Sequence, residues 1–292
     1  MVNYNPQHWV KEIFGAYSRS VMRALIPAML LMGSLTLLIC FIFIDYFGIT
    51  EEEFKSTTSM HSLLGIVLGL FLVFRTNSAY DRWWEGRKHW GSLVNNTRNF
   101  SFKINAFLRA EDKKSVDWFN LMICNFVIAL KEHLRNGVKI DQLEKIDDSF
   151  LENITRVKHK PAYMLGMLYD KVNTLYKEGK LTGDQFFILD KEIKEFTDIM
   201  GACERIKNTP IPFSYSMFIK KFVFTYSITL PFGFVTSYGY TTIPIVLFIF
   251  FILLSVELIA EEIEDPFGSD INDLPLDQIS LNIRYNVREI LG

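Results

Sequence analysis

The chain has 292 residues, 49% of them hydrophobic and 15% aromatic, and its 31 basic and 33 acidic residues leave a formal net charge of −2. That balance excludes a protein-wide basic footprint for nucleic acid, and a chain this apolar argues against one or two ordinary soluble domains. The charge is also segregated: no Asp, Glu, Lys or Arg lies between Arg23 and Asp45, Lys55 and Arg75, or Lys221 and Glu257, and charge-free runs of about 18 residues or more are candidate membrane spans.

In chain order, "YNPQHWVKEIFGAYSRSVMRALIP" alternates Trp9, Phe14 and Tyr17 with Lys11, Arg19 and Arg23. This suits a helix at headgroup level before a span, although a soluble amphipathic helix fits the same spacing. No cleavable signal pattern precedes the first apolar run, so residues 24–44 are expected to be a permanent span. Pro27 falls near its start, where a missing N–H does least harm. After the acidic "DYFGITEEEFKSTTS", a second span at 59–74 runs without a break into "RTNSAYDRWWEGR". Residues from Gly91 to about Pro210 space apolar side chains at three and four with charges opposite, which predicts soluble helices. Asp112 and Asp184 are start signals there, and Gly137 and Gly179 stops. Lys220 and Lys221 then open a charge-free run too long for one span, and "TSYGYTTIP" divides it into spans at 222–237 and 242–258.

Lys and Arg cluster before span one, after span two and before span three, whereas the connecting loops hold only Lys55. By the positive-inside rule this places both termini and the helical regions 75–221 and 259–292 in the cytoplasm. The expected fold is all-α: an integral membrane protein with four transmembrane helices and a large cytoplasmic helical region, one subunit over 1–292. Cys40, Cys124 and Cys203 form no disulfide framework, and the five histidines give no metal spacing.

Three motifs, "GIVLGLFLVFRTNSAYDRWWEGRKHWG", "PIPFSYS" and "EDPFGSDINDLPLD", occur in that order. Together they resemble the bestrophin family in its bacterial branch, over nearly the whole chain. The resemblance implies a homopentamer around a central pore in the bacterial inner membrane. It puts the rings of a narrow neck at Ile66, Leu70 and Phe74. Four-residue steps keep these on one slanting helix face, and stacked apolar rings can gate by dewetting. Without the resemblance the same three read as lipid-facing or packing residues. Leu70 departs from the isoleucine or phenylalanine expected there. Gly65 and Gly69 form a G-x-x-x-G suited to close helix approach. Ile211, stiffened between Pro210 and Pro212, matches a cytoplasmic aperture; otherwise it belongs to an ordinary loop. Asp270 and Asp273 match the acidic positions of a calcium clasp, but the acidic run is thinned here. Capping and intersubunit hydrogen bonds are the favoured role, and no cofactor is expected. Asp81 and Arg82 are expected to pair across subunits or to face a vestibule.

The function so implied is a passive ion channel with a hydrophobic gate, conducting chloride or other small monovalent anions. Its partners would be other copies of itself, membrane lipid and permeant ions, with no nucleic acid. A monovalent cation channel of the same fold is the alternative, since Glu51, Glu52 and Glu53 could ring the outer mouth. A secondary transporter is the alternative of another class, with Pro231 as a candidate helix break. An enzyme is not expected, because no nucleophile, base and ligand set converges in the sequence. A ladder of arginines for voltage sensing is also missing.

Overall fold

A computed structural model describes residues 16–49, 57–108 and 112–292. Trp9, Lys11, Phe14 and Glu51–Glu53 lie outside the described residues. The main elements among those described are nine α-helices: α1 Ala16–Phe41, α2 Thr58–Leu108, α3 Lys113–Leu134, α4 Asp148–Arg156, α5 Lys160–Lys177, α6 Gly183–Asn208, α7 Phe213–Tyr238, α8 Thr242–Glu264 and α9 Leu276–Leu291. They form two compact units, Met1–Arg82 with Pro210–Asp265, and Trp83–Thr209 with Pro266–Gly292.

The first unit packs Met32 of α1, Leu68 and Leu72 of α2, Val223, Tyr226 and Leu230 of α7, and Val246 and Phe250 of α8. Among the described residues three segments, Met22–Tyr46, Thr58–Leu108 and Phe213–Glu264, are long and apolar enough to cross a membrane, and the last holds both α7 and α8. The chain is a membrane protein by this measure. Between α7 and α8 lies only the 3-10 turn Gly239–Thr241, where Gly239 takes φ 54°, a left-handed conformation that favours glycine. Pro27 sits in the interior of α1 rather than near its start, because the helix already begins at Ala16. Pro231 is likewise inside an unbroken α7. Small residues set the helix spacing: a Cβ on Gly65 would stand 2.7 Å from the Tyr226 hydroxyl, which donates to the His61 carbonyl at 3.2 Å. Gly69 has nothing within 4 Å of the same position. Only the first glycine of the G-x-x-x-G therefore meets a neighbouring helix of its own chain.

α2 is one helix of 51 residues, about 76 Å at 1.5 Å per residue. In the second unit its later turns join α3, α5, α6 and α9 around a core in which Phe100 meets Phe119 and Phe196 edge-on, at centroid distances of 5.7 and 5.6 Å. The helix starts are chemically explicit. Asp112 accepts the Ser115 N–H at 3.1 Å, and Asp147 accepts those of Ser149 and Phe150. α6 starts two residues earlier than its acidic signal suggests. Thr182 and Gln185 satisfy each other's backbone N–H in a capping box, leaving Asp184 in the first turn. α9 packs on α3, where Lys131 and Arg135 both reach Asp277, at 2.8 and 2.9 Å. Arg284 and Arg288 hold Glu144.

Candidate ion pathway

Within the first unit α2 has two unlike faces. Leu68, Leu72, Arg75 and Ala79 are buried. Ile66, Leu70 and Phe74 are 72, 56 and 54% exposed, and Leu63, Val67 and Val73 flank them. Two four-residue steps make this a single apolar stripe, which continues into the exposed polar residues Asn77, Ser78 and Asp81. An uncovered apolar stripe of this kind suits lipid or another protein surface rather than water.

The buried face of α2 carries a charge. Arg75 is 1% exposed; its Nη2 donates to Glu264 Oε2 at 2.7 Å, and its Nε lies 3.5 Å from Glu257 Oε1. The other oxygen of Glu264 accepts the Ile211 N–H at 2.9 Å, and the Glu264 carbonyl accepts the Arg82 Nε–H at 3.0 Å. One glutamate at the end of α8 thus binds α2 twice and the Pro-Ile-Pro segment once. Ile211 is half-buried and Asp81 exposed.

In the second unit Asp273 is buried, and its Oδ2 accepts the Asp270 N–H at 2.6 Å. A Cβ on Gly268 would approach that oxygen to 2.6 Å, so any larger residue there would push the carboxylate aside. Trp83 Nε1 donates to the Asn272 carbonyl at 2.9 Å, and the Leu274 N–H to that of Pro266 at 2.9 Å. Calcium asks for six to eight oxygen ligands. Here a backbone N–H engages one oxygen of Asp273, and Asp270 is exposed. Within this chain the Asp273 carboxylate caps its own loop.

The fold also assembles a group that is scattered in sequence. His133 Nε2 and His159 Nε2 lie 2.9 and 2.7 Å from Glu204 Oε1, with the two rings 4.6 Å apart. His159 Nδ1 accepts the Ala162 N–H at 3.2 Å, capping α5, so the neutral ring carries its proton on Nε2, facing Glu204. Metal-bound histidine has the reverse arrangement, with the remote nitrogen donating. The trio braces α3, α5 and α6 through close polar contacts. Burial, and then the neighbouring His159, hold His133 below the usual imidazole range. Burial pushes the Cys124 thiol up to about 11 and the Cys203 thiol up to about 12, which keeps both unreactive.

The bacterial/fungal bestrophin family matches residues 1–289. The chain belongs to that family. The voltage-dependent anion channel-forming protein of Ralstonia nicotianae is 32% identical to it over 290 residues, 98% of this chain and 92% of the relative. The protein of the same name in Escherichia coli K12 is 31% identical over 287 residues, 97% and 92% of the two. The crystal structure of a bestrophin homolog from Klebsiella pneumoniae superposes with a TM-score of 0.83 at 28% identity, covering 91% of this bestrophin and 98% of that chain. Of the bestrophin motifs, "PIPFSYS" lies in the first unit, whereas "EDPFGSDINDLPLD" contributes Glu264 and Asp265 to the first unit and the rest to the second.

Proposed function

We propose that this bestrophin is a passive anion channel, assembled as a homopentamer of four-span subunits in the bacterial inner membrane with both termini in the cytoplasm. The observation that carries the reading is the bare stripe Ile66, Leu70 and Phe74 on an unbroken α2, in a family whose relatives are named for anion channels. Five such stripes facing one another would be covered by each other instead of by lipid. They would form hydrophobic rings whose dewetting sets the conductance, with Ile211 as a second constriction. The positive edge of the Phe74 ring is compatible with a passing anion. Chloride is the ion expected, with lipid around the assembly, and neither a catalytic role nor a resident cofactor is part of the proposal.

Purified protein in liposomes, with anion and cation gradients imposed separately, tests the selectivity. A reversal potential that follows chloride supports the reading, and one that follows the cation overturns it. Besides Glu51–Glu53, the cation alternative draws on a feature of α2: Arg75 is buried against two carboxylates, so the first exposed charge beyond Phe74 is Asp81. Leu70→Ala and Phe74→Ala should each raise conductance by shortening the dewetted zone; no change in either rejects the neck. Mass measurement of the detergent-solubilised complex should give five subunits, and two or four would sink the pentamer. Conductance should not respond to calcium; a response lost in Asp273→Ala would restore the clasp. Flux that saturates and couples to a second gradient would favour a transporter.

A further inference from the structure

We infer that Glu264 is a positioning residue: a latch that sets the direction of Ile211 and ties it to the helix carrying Ile66, Leu70 and Phe74. The inference rests on reading Ile211 as a constriction of the pathway.

Of the three residues Pro210, Ile211 and Pro212, only Ile211 has a backbone N–H, since proline has none. That single donor goes to Glu264 Oε1 at 2.9 Å. The carboxylate cannot swing freely, because Arg75 holds its other oxygen at 2.7 Å and Arg82 holds its carbonyl at 3.0 Å. Hydrogen bonds between charged groups such as the Arg75 pair are stronger than neutral ones and tighter in geometry. Arg75 follows Phe74 directly in the chain and is buried, with Glu257 Oε1 3.5 Å from its Nε. A rotation of α2 that turns Phe74 therefore carries Arg75, and through Glu264 the Ile211 segment, with it. The two constrictions then move as one gate.

The test substitutes the latch without emptying the site. In Glu264→Gln either orientation of the amide turns its NH₂ toward one of two donors, Arg75 or Ile211. Glu264→Asp keeps the charge but is one methylene too short to serve both. Either variant should shift unitary conductance by about threefold, the size of coupling seen between contacting residues, and should add nothing in an Ile211→Ala background. A shift that persists undiminished in that background overturns the latch. If Ile211→Ala alone leaves conductance unaltered, the constriction reading fails, and the latch is judged by a separate readout. In an Ile211→Cys background, a charged thiol reagent should react faster when Glu264→Asp is added, with no interference from the buried native cysteines. Equal rates overturn the latch. If Glu264→Gln does not assemble, Glu264→Asp alone carries both measurements.

Discussion

At Arg75 the chain places a guanidinium out of water one residue past an apolar stripe, and its two carboxylate partners come from the far end of α8. A buried charge is tolerable only while paired, because removing one partner leaves the other stranded. Arg75→Ala should cost about 3–5 kcal/mol by that mechanism, read as a lowered Tm of the solubilised assembly, with Arg75→Lys recovering part of the loss. An unchanged Tm would show that water or lipid headgroups already satisfy Glu257 and Glu264. The sequence marks Arg75 as the first cation after a charge-free run and assigns it a side of the membrane. Its pairing is not legible there, since Glu264 lies 189 residues away and several acidic residues crowd that region. Asp273 was legible as a carboxylate with a job; that the job is to hold its own loop depends on Gly268 and on the path of the backbone.

Among elements, α2 was the most readable and also the most underestimated. Its passage from oil to charge without Gly or Pro at the junction predicts one continuous helix, and one continuous helix is found. Its extension past Gly91 to Leu108 was not drawn from the sequence, because a glycine there looks like a boundary. In the structure the only side chain near a Cβ at Gly91 is that of Arg87, on the preceding turn, so the residue costs only its propensity. Capping was half legible. Asp112 starts α3 as read, and the Lys180 hydrogen bond, which outweighs the opposing effect of burial, holds its carboxyl down to about 2. Asp112→Ala should destabilise the protein by about 1 kcal/mol through the lost cap, visible as a reduced urea midpoint; the exposed ion pair adds little. Asp184 lost the same role to Thr182, whose hydroxyl accepts the Gln185 N–H while the Gln185 side chain accepts the Thr182 N–H in return.

For the whole molecule, segregation of charge separates membrane-length helices from the polar ones, and the two compact units bear that division in their composition. What the linear order hides is that the second unit is built from two stretches of chain with α7 and α8 between them. The brace of His133, His159 and Glu204 belongs to the same hidden class, since its members are unremarked singly. It has a consequence for acid stability. With the folded His133 held below its ordinary value, the unfolded chain binds the proton first, so stability is full above about pH 6.5 and falls as pH drops below it. Tm measured at pH 7.5 and 5.5 should show this loss, and His133→Asn should reduce it; equal losses in both proteins would place the acid sensitivity elsewhere.

The divided second unit also imposes a timetable on biosynthesis. α3, α5 and α6 leave the ribosome before the α7–α8 hairpin, and α9, which closes on α3, follows it. At translation rates of about 5–20 residues per second the earlier helices wait on the order of ten seconds for their last partner. During that interval the seat of Ile283, Val287 and Leu291 stands open. Synthesis of the apolar α7–α8 hairpin thereby becomes the clock for completing the second unit.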